Sequence, residues 1–148
     1  YGWLPNNFKW LMKKEIRKVP FVGTACKVAG HIFVDRSNPR AALQSMEHIK
    51  AELVDGISTV IFPEGTRTKT GEIGRFKQGA FKIAMDLNLP VVPITLKGFH
   101  QAMPARQLFV NPKASTSLHI GEPIDLSQFA DINEAMTYVR EQVEKGLK

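Results

Sequence analysis

"HIFVDRSNPRAALQSMEHIKAELVDGISTVIFP", His31 to Pro63, runs from one apolar stretch to another through a single long helical pattern. His31–Arg36 is rich in β-branched and aromatic residues and reads as a buried strand. Ser37 or Asn38 can cap the helix that follows. Pro39 suits its first position, where a backbone N–H is not needed. Ala42, Leu43, Met46, Ile49 and Leu53 recur at helical spacing, and Gly56 is a stop. Ser58–Pro63 is then a short apolar strand. Strand, helix and strand in this order predict an α/β fold with a largely parallel central sheet flanked by helices.

The flanks extend the same pattern. Phe8, Trp10 and Met12 alternate on one face of a strand, and Pro20 starts a short helix through Lys27. Lys77–Asn88 reads as a helix and Val91–Gly98 as a second buried strand. Gln107–Val110 and Thr116–Gly121 are further strand candidates. Residues 132–148 form an amphipathic helix with Ile132, Met136, Val139 and Val143 on one side. There is no internal repeat or dividing linker, so 148 residues predict one domain, 1–148.

A hydrophobic content of 43% supports a real core. The net charge of +6 permits nucleic acid, an anionic membrane or a phosphorylated substrate, without choosing among them. Cys26 is the single cysteine, which excludes an intrachain disulfide and favours a reducing compartment. Its small, apolar neighbours predict a buried structural thiol. No apolar run approaches the roughly 18 residues of a membrane-spanning helix. The first residues are "YGWLPNN", without Met, which predicts a chain lacking its N-terminal part.

"FPEGTR", Phe62–Arg67, ends the strand at Ser58–Pro63. Pro63 stops the ladder, Gly65 allows close backbone approach, and Arg67 offers a fork that can grip a phosphate. Glu64 can orient Arg67 or a neighbouring base. A strand-end turn with a surface ion pair accounts for the same residues, and spacing alone leaves the two readings equal. A nucleotide loop is excluded: Gly65 and Gly71 bracket five residues rather than four, with no Lys-Ser or Lys-Thr behind them. Asp35 and Arg36 read more simply as a strand-end pair than as an anion site. Lys77 and Gly79 open a helix, where a solvated lysine is the plainer account. Lys9, Lys13, Lys14, Arg17 and Lys18, mixed with Phe8 and Trp10, suit an anionic membrane or single-stranded nucleic acid, and equally a solvated strand edge. His31, His48, His100 and His119 have no metal-ligand spacing.

Taken together, these stretches resemble the glycerolipid acyltransferases, the family that includes 1-acyl-glycerol-3-phosphate acyltransferase. "GHIFVDR" resembles the family's second block, "FPEGTR" its third and "LPVVPI" its fourth; "KKEI", "VPFVG" and "FKQGAF" also match its usage. The resemblance implies a glycerolphosphate-acyltransferase-like fold. It also implies transfer of an acyl chain from a thioester to 1-acyl-glycerol-3-phosphate, forming phosphatidic acid in phospholipid biosynthesis. Arg67 and Arg36 are carried over as phosphate contacts, Lys13 as a further cation, and Gly65 and Thr66 as residues that shape the loop beside Glu64. The donor would be acyl-CoA or acyl-carrier protein, with no separate cofactor, no metal and no nucleic acid. The location implied is a membrane surface on the cytoplasmic face.

The family's catalytic pair is a His and an Asp separated by four residues, the His acting as general base. The pattern is absent from the 148 residues; His31 and Asp35 are separated by three and lie in the second block. The resemblance places the pair just before this chain's first residue, so no catalytic residue is assigned within it. The alternative function is a non-catalytic module that binds anionic lipid.

Overall fold

The computed structural model describes residues 8–35, 38–53, 56–66, 68, 70–104 and 110–148. The chain folds as two compact units, Tyr1–Ile61 and Phe62–Lys148.

The first unit is built on strand β1, Phe8–Lys13, which lies between β2, Ile32–Val34, and β3, Ser58–Val60. Both pairings are parallel. The two neighbours use different halves of β1. Phe8, Lys9 and Trp10 face Ser58, Thr59 and Val60, whereas Leu11, Met12 and Lys13 face Ile32, Phe33 and Val34. A parallel neighbour must return through a crossover. Between β1 and β2 this comprises a 3₁₀ turn, Lys14–Lys18, and helix α1, Val22–Val28; between β2 and β3 it is α2, Pro39–Glu52.

Asn38 caps α2, its side chain accepting the Ala41 N–H at 2.9 Å. Ile49 is buried in this unit with Phe8, Ile32 and Val34. Ser45 ties α2 to the end of β2: its hydroxyl accepts the Asp35 N–H at 3.0 Å and donates to the Asp35 carbonyl. Lys9 pairs with Glu52, linking β1 to the last turn of α2.

Two features of the β1–β2 crossover were not legible in the sequence. The 3₁₀ turn is one, and it buries none of its residues. The other is the turn at Pro20–Phe21–Val22. Val22 N–H donates to the Pro20 carbonyl at 2.7 Å across Phe21, which sits at φ +61°. This is the rare positive-φ γ-turn, a conformation that costs on the order of 1–3 kcal/mol in a residue with a side chain. Immediately after it, Gly23 packs against the 3₁₀ turn so closely that a Cβ would fall on the Arg17 carbonyl.

The second unit holds an antiparallel pair, β4, Ile94–Lys97, and β5, Ser117–Ile120, with Ile94 opposite Ile120 and Lys97 opposite Ser117. Helices α3, Gln78–Asp86, and α5, Ile132–Lys145, enclose its core. That core contains Phe76, Phe81, Ala84, Ile124, Leu126, Ala135 and Val139. A short helix α4, Phe99–Ala102, follows β4 after Gly98. The last turn of α5 is pinned by Thr95, whose hydroxyl donates to the Val143 carbonyl at 2.7 Å.

The expected elements that fall within the described residues are present, with adjusted bounds and partners. The strand expected at Ser58–Pro63 stops at Val60, before the proline. The one expected at Val91–Gly98 is reduced to Ile94–Lys97, with a single bridge from Val91 to Ile124. Pro93, lacking an N–H, interrupts that ladder. β4 takes an antiparallel partner, because apolar alternation marks a strand without stating its direction. Of the candidate at Gln107–Val110, only Val110 is among the described residues, and it is exposed. Cys26 is half-buried.

Gly23→Ala is expected to destabilise the protein by about 1–3 kcal/mol, because backbone rather than a flexible side chain must move; a lowered urea midpoint checks it. Glu52 is held below its ordinary pKa, first by the Lys9 hydrogen bond and then by the lysine's charge. A depressed carboxylate adds stability above its unfolded pKa, and that contribution is lost as pH falls through the folded value. Glu52→Gln should therefore flatten the acid limb below about pH 4.5 in a stability–pH profile, with little change in shape at neutral pH.

Candidate functional site

In the first unit, Lys13 ends β1 directly opposite Val34 of β2. The register therefore sets Lys13 beside the carboxyl end of the second block, the edge where open α/β sheets place their ligands. The next residue, Lys14, pairs with Asp35. That partnership, through the hydrogen bond first and the charge second, holds Lys14 above its ordinary pKa. Lys13 is exposed. Arg36 lies outside the described residues. His31 is buried and its Nδ1 accepts the Trp10 N–H at 3.4 Å, a role in holding the sheet.

In the second unit, the third block forms the start of a closed loop. Gly65 N–H donates to the Phe62 carbonyl at 3.0 Å, a turn with Pro63 at its first corner. Lys77 N–H donates to the Pro63 carbonyl at 2.8 Å and closes the loop at its base, where α3 begins. Gly65 takes φ +72°, and a Cβ there would lie 3.0 Å from the Lys77 Nζ. The glycine thus lets the loop backbone pass close to an ammonium group that sequence reasoning treated as a solvated lysine. Thr66 is exposed on the same bend, and Arg67 lies outside the described residues.

Two charged side chains hold the far limb of this loop. The Glu64 carboxylate accepts the Gly74 N–H at 2.6 Å. The Arg140 guanidinium, from α5, donates through Nη1 to the Gly74 carbonyl at 2.6 Å and through Nη2 to the Ile73 carbonyl at 3.0 Å. Its Nε donates to Glu144 at 2.8 Å, and its plane lies over the Phe76 ring. Gly74 is therefore gripped at both its N–H and its C=O. The tip is organised by Thr68, whose hydroxyl accepts the Thr70 and Gly71 N–H groups at 3.2 and 3.1 Å. The His100 ring lies against Gly71, where a Cβ would come within 2.8 Å of it.

The site residues named from sequence thus divide. Gly65 and Glu64 are loop-forming, Glu64 through Gly74. Lys13 sits at the strand end of the first unit. Sequence reasoning missed Arg140 and His100, which come from elements far along the chain, and the 3.6-residue period of α5 puts Arg140 only on the flank of its apolar face. Among the described residues no group of three His, Cys, Asp or Glu side chains is arranged to hold a metal ion.

Comparisons with known proteins bear on this loop. The profile of a family described as Acyltransferase matches residues 2–97, which include both strand ends and the whole loop. A 1-acyl-sn-glycerol-3-phosphate acyltransferase of Cocos nucifera is 41% identical over 116 residues, covering 77% of this chain and 38% of that protein. A chloroplastic 1-acyl-sn-glycerol-3-phosphate acyltransferase of Arabidopsis thaliana is 34% identical over 143 residues, 95% of this chain and 40% of that protein. The chain thus spans about two fifths of the length of these relatives. The crystal structure of the 1-acyl-sn-glycerophosphate acyltransferase PlsC from Thermotoga maritima superposes with a TM-score of 0.81 at 28% identity, covering 93% of this chain and 54% of that one.

Arg140 lies beyond the matched residues, yet its hydrogen bonds set the loop's shape. Arg140→Ala should speed amide exchange at Gly74 and cost about 1.5–3 kcal/mol, the range for hydrogen bonds to a charged group. Arg140→Lys should restore little, because an ammonium cannot fork across two carbonyls. Hydrogen exchange followed by NMR reads both.

Proposed function

The chain belongs to the Acyltransferase family, and on that premise we propose that it is part of an enzyme that acylates 1-acyl-glycerol-3-phosphate to phosphatidic acid. The observation that carries this reading is the closed loop at Phe62–Lys77, which presents a positive-φ glycine beside a lysine ammonium directly after a strand. Such a loop suits an acceptor phosphate, because backbone can approach closely and cationic groups lie beside it. Arg67 is the principal phosphate contact in this reading. Arg36 is a second contact and Lys13 a further cation, each assigned from its block rather than from geometry.

The reaction is an acyl transfer. A general base takes the proton of the acceptor hydroxyl, whose oxygen attacks the thioester carbonyl. The tetrahedral intermediate then collapses, the C–S bond breaks, and the thiol of coenzyme A or acyl-carrier protein leaves with the proton. The 148 residues contribute the acceptor site; the His and Asp at the family's spacing are not among them. In this reading the base belongs to residues outside these 148. A membrane surface at the cytoplasmic face is the place where such an acceptor is met. No helix among the described residues is long and apolar enough to cross a membrane.

A module that only binds anionic lipid is the second reading, and the cationic stretch Lys13–Lys27 would serve it as well. An acyl-transfer assay on the complete protein, with lysophosphatidic acid and an acyl thioester, separates the two; binding without turnover selects the second. In an active protein, Arg67→Ala should lower kcat/KM for the phosphorylated acceptor by about tenfold to a hundredfold, the worth of a lost charge-assisted contact. Arg67→Lys should also be poor, since a point charge does not replace a bidentate fork. Unchanged kinetics in both variants would remove Arg67 from the site.

A further inference from the structure

Helix α1 is made of Val22, Gly23, Thr24, Ala25, Cys26, Lys27 and Val28, and Gly23 is its single buried residue. An apolar helix normally buries its branched side chains. Here Phe21 is 90% exposed and Val28 83% exposed, with Val19 and Val22 about half exposed beside them. Phe21 stands just before the helix and Val28 ends it. The exposure is built in. Gly23 locks the opposite side of the helix onto the Lys14–Lys18 turn, and the strained γ-turn aims the Phe21 ring outward.

The stretch that carries these side chains is strongly cationic. Between Lys13 and Val28 there are five cations (Lys13, Lys14, Arg17, Lys18 and Lys27) against one acid, Glu15, which accounts for +4 of the chain's +6. Lys14 is engaged by Asp35, while Lys13, Arg17, Lys18 and Lys27 are exposed. Exposed apolar side chains on an exposed cationic stretch match an anionic bilayer surface, where rings enter the acyl boundary and lysines stay with the headgroups.

We propose that Val19–Val28, with Phe21 as its leading side chain, is the element by which this protein docks on anionic lipid bilayers. The choice of a bilayer as occupant rests on the lysophospholipid reading above, since that acceptor resides in membranes; the exposed apolar side chains and the cationic stretch stand independently of it. The strain at Phe21 is consistent with this role: it is stored in the free chain to hold an aromatic ring in water, where only burial in an apolar phase rewards it.

The test uses the 148-residue chain and vesicles of phosphatidylcholine with or without phosphatidylglycerol, free of lysophospholipid and thioester. The expected result is sedimentation with the anionic vesicles and much less with the neutral ones. Phe21→Trp should shift emission to the blue and be quenched by brominated acyl chains beyond the signal of the native Trp3 and Trp10. Phe21→Gly should weaken binding by about tenfold or more while raising or maintaining the urea midpoint, because glycine tolerates the γ-turn. Lys18→Gln with Lys27→Gln should weaken anionic binding and its salt dependence. The proposal falls if Phe21→Gly binds like the parent chain, or if vesicles leave the emission of Phe21→Trp unchanged. It also falls if that tryptophan is already shielded from an aqueous quencher without vesicles, which would mean that protein covers the face. A change of oligomeric state in Phe21→Gly with vesicle binding intact would assign the face to a second copy and overturn it too. Vesicle binding with no acyl transfer by the complete protein would leave this proposal standing and remove the enzymatic reading.

Discussion

Strand β1 is paired in parallel on both sides, and that constraint shapes the first unit. A parallel partner cannot be reached by a tight turn, so each neighbour of β1 must arrive through a crossover. α2 is long, capped by Asn38 and anchored by the buried Ile49. The other crossover is short and irregular, a 3₁₀ turn, a γ-turn and a seven-residue helix held by a glycine. The same pairing sets the ends of β1 and β2 side by side, which places Lys13 next to the second block. The position of Lys13 thus follows from backbone hydrogen bonding in the sheet.

The second unit solves a different problem. A loop from Pro63 to Lys77 must hold a shape without ladder bonds, and its peptide groups must still find partners. Backbone bonds close its base at Pro63 and Lys77, and threonine hydroxyls organise its tip. Its far limb depends on Glu64 and Arg140, which grip the Ile73–Gly74 peptide from opposite sides. Glu64 is within the third block and Arg140 is on the last helix, so the loop's geometry is shared between the matched family region and a C-terminal element beyond it. The family-matched sequence of the loop is therefore only part of what shapes it.

Surface chemistry complements these interiors. The chain's excess positive charge is concentrated between Lys13 and Val28, the stretch that also leaves its apolar side chains in water. For a protein whose relatives are named 1-acyl-sn-glycerol-3-phosphate acyltransferases, this puts cations and apolar groups on one stretch of chain.

Much of the fold was legible without coordinates, because period and punctuation are local. The alternation from Phe8, the cap and spacing around Pro39 and Ile49, and the amphipathic run after Ile132 each report their own backbone state. Of the candidate site residues, Gly65 was legible as a turn glycine, whereas Lys13 was named as one of a basic run and as a further cation through the resemblance. The ordered blocks at Gly30–Arg36, Phe62–Arg67 and Leu89–Ile94 identified the family. The tertiary structure alone decided that β4 runs antiparallel to β5, that Glu64 holds Gly74, that Arg140 reaches back to Ile73 and Gly74, and that Phe21 stands in water at a positive φ. Each of these joins residues distant in sequence, or sets a side chain by what packs beside it. Periodicity records which residues seek burial, whereas partners are chosen only when the whole chain competes for them.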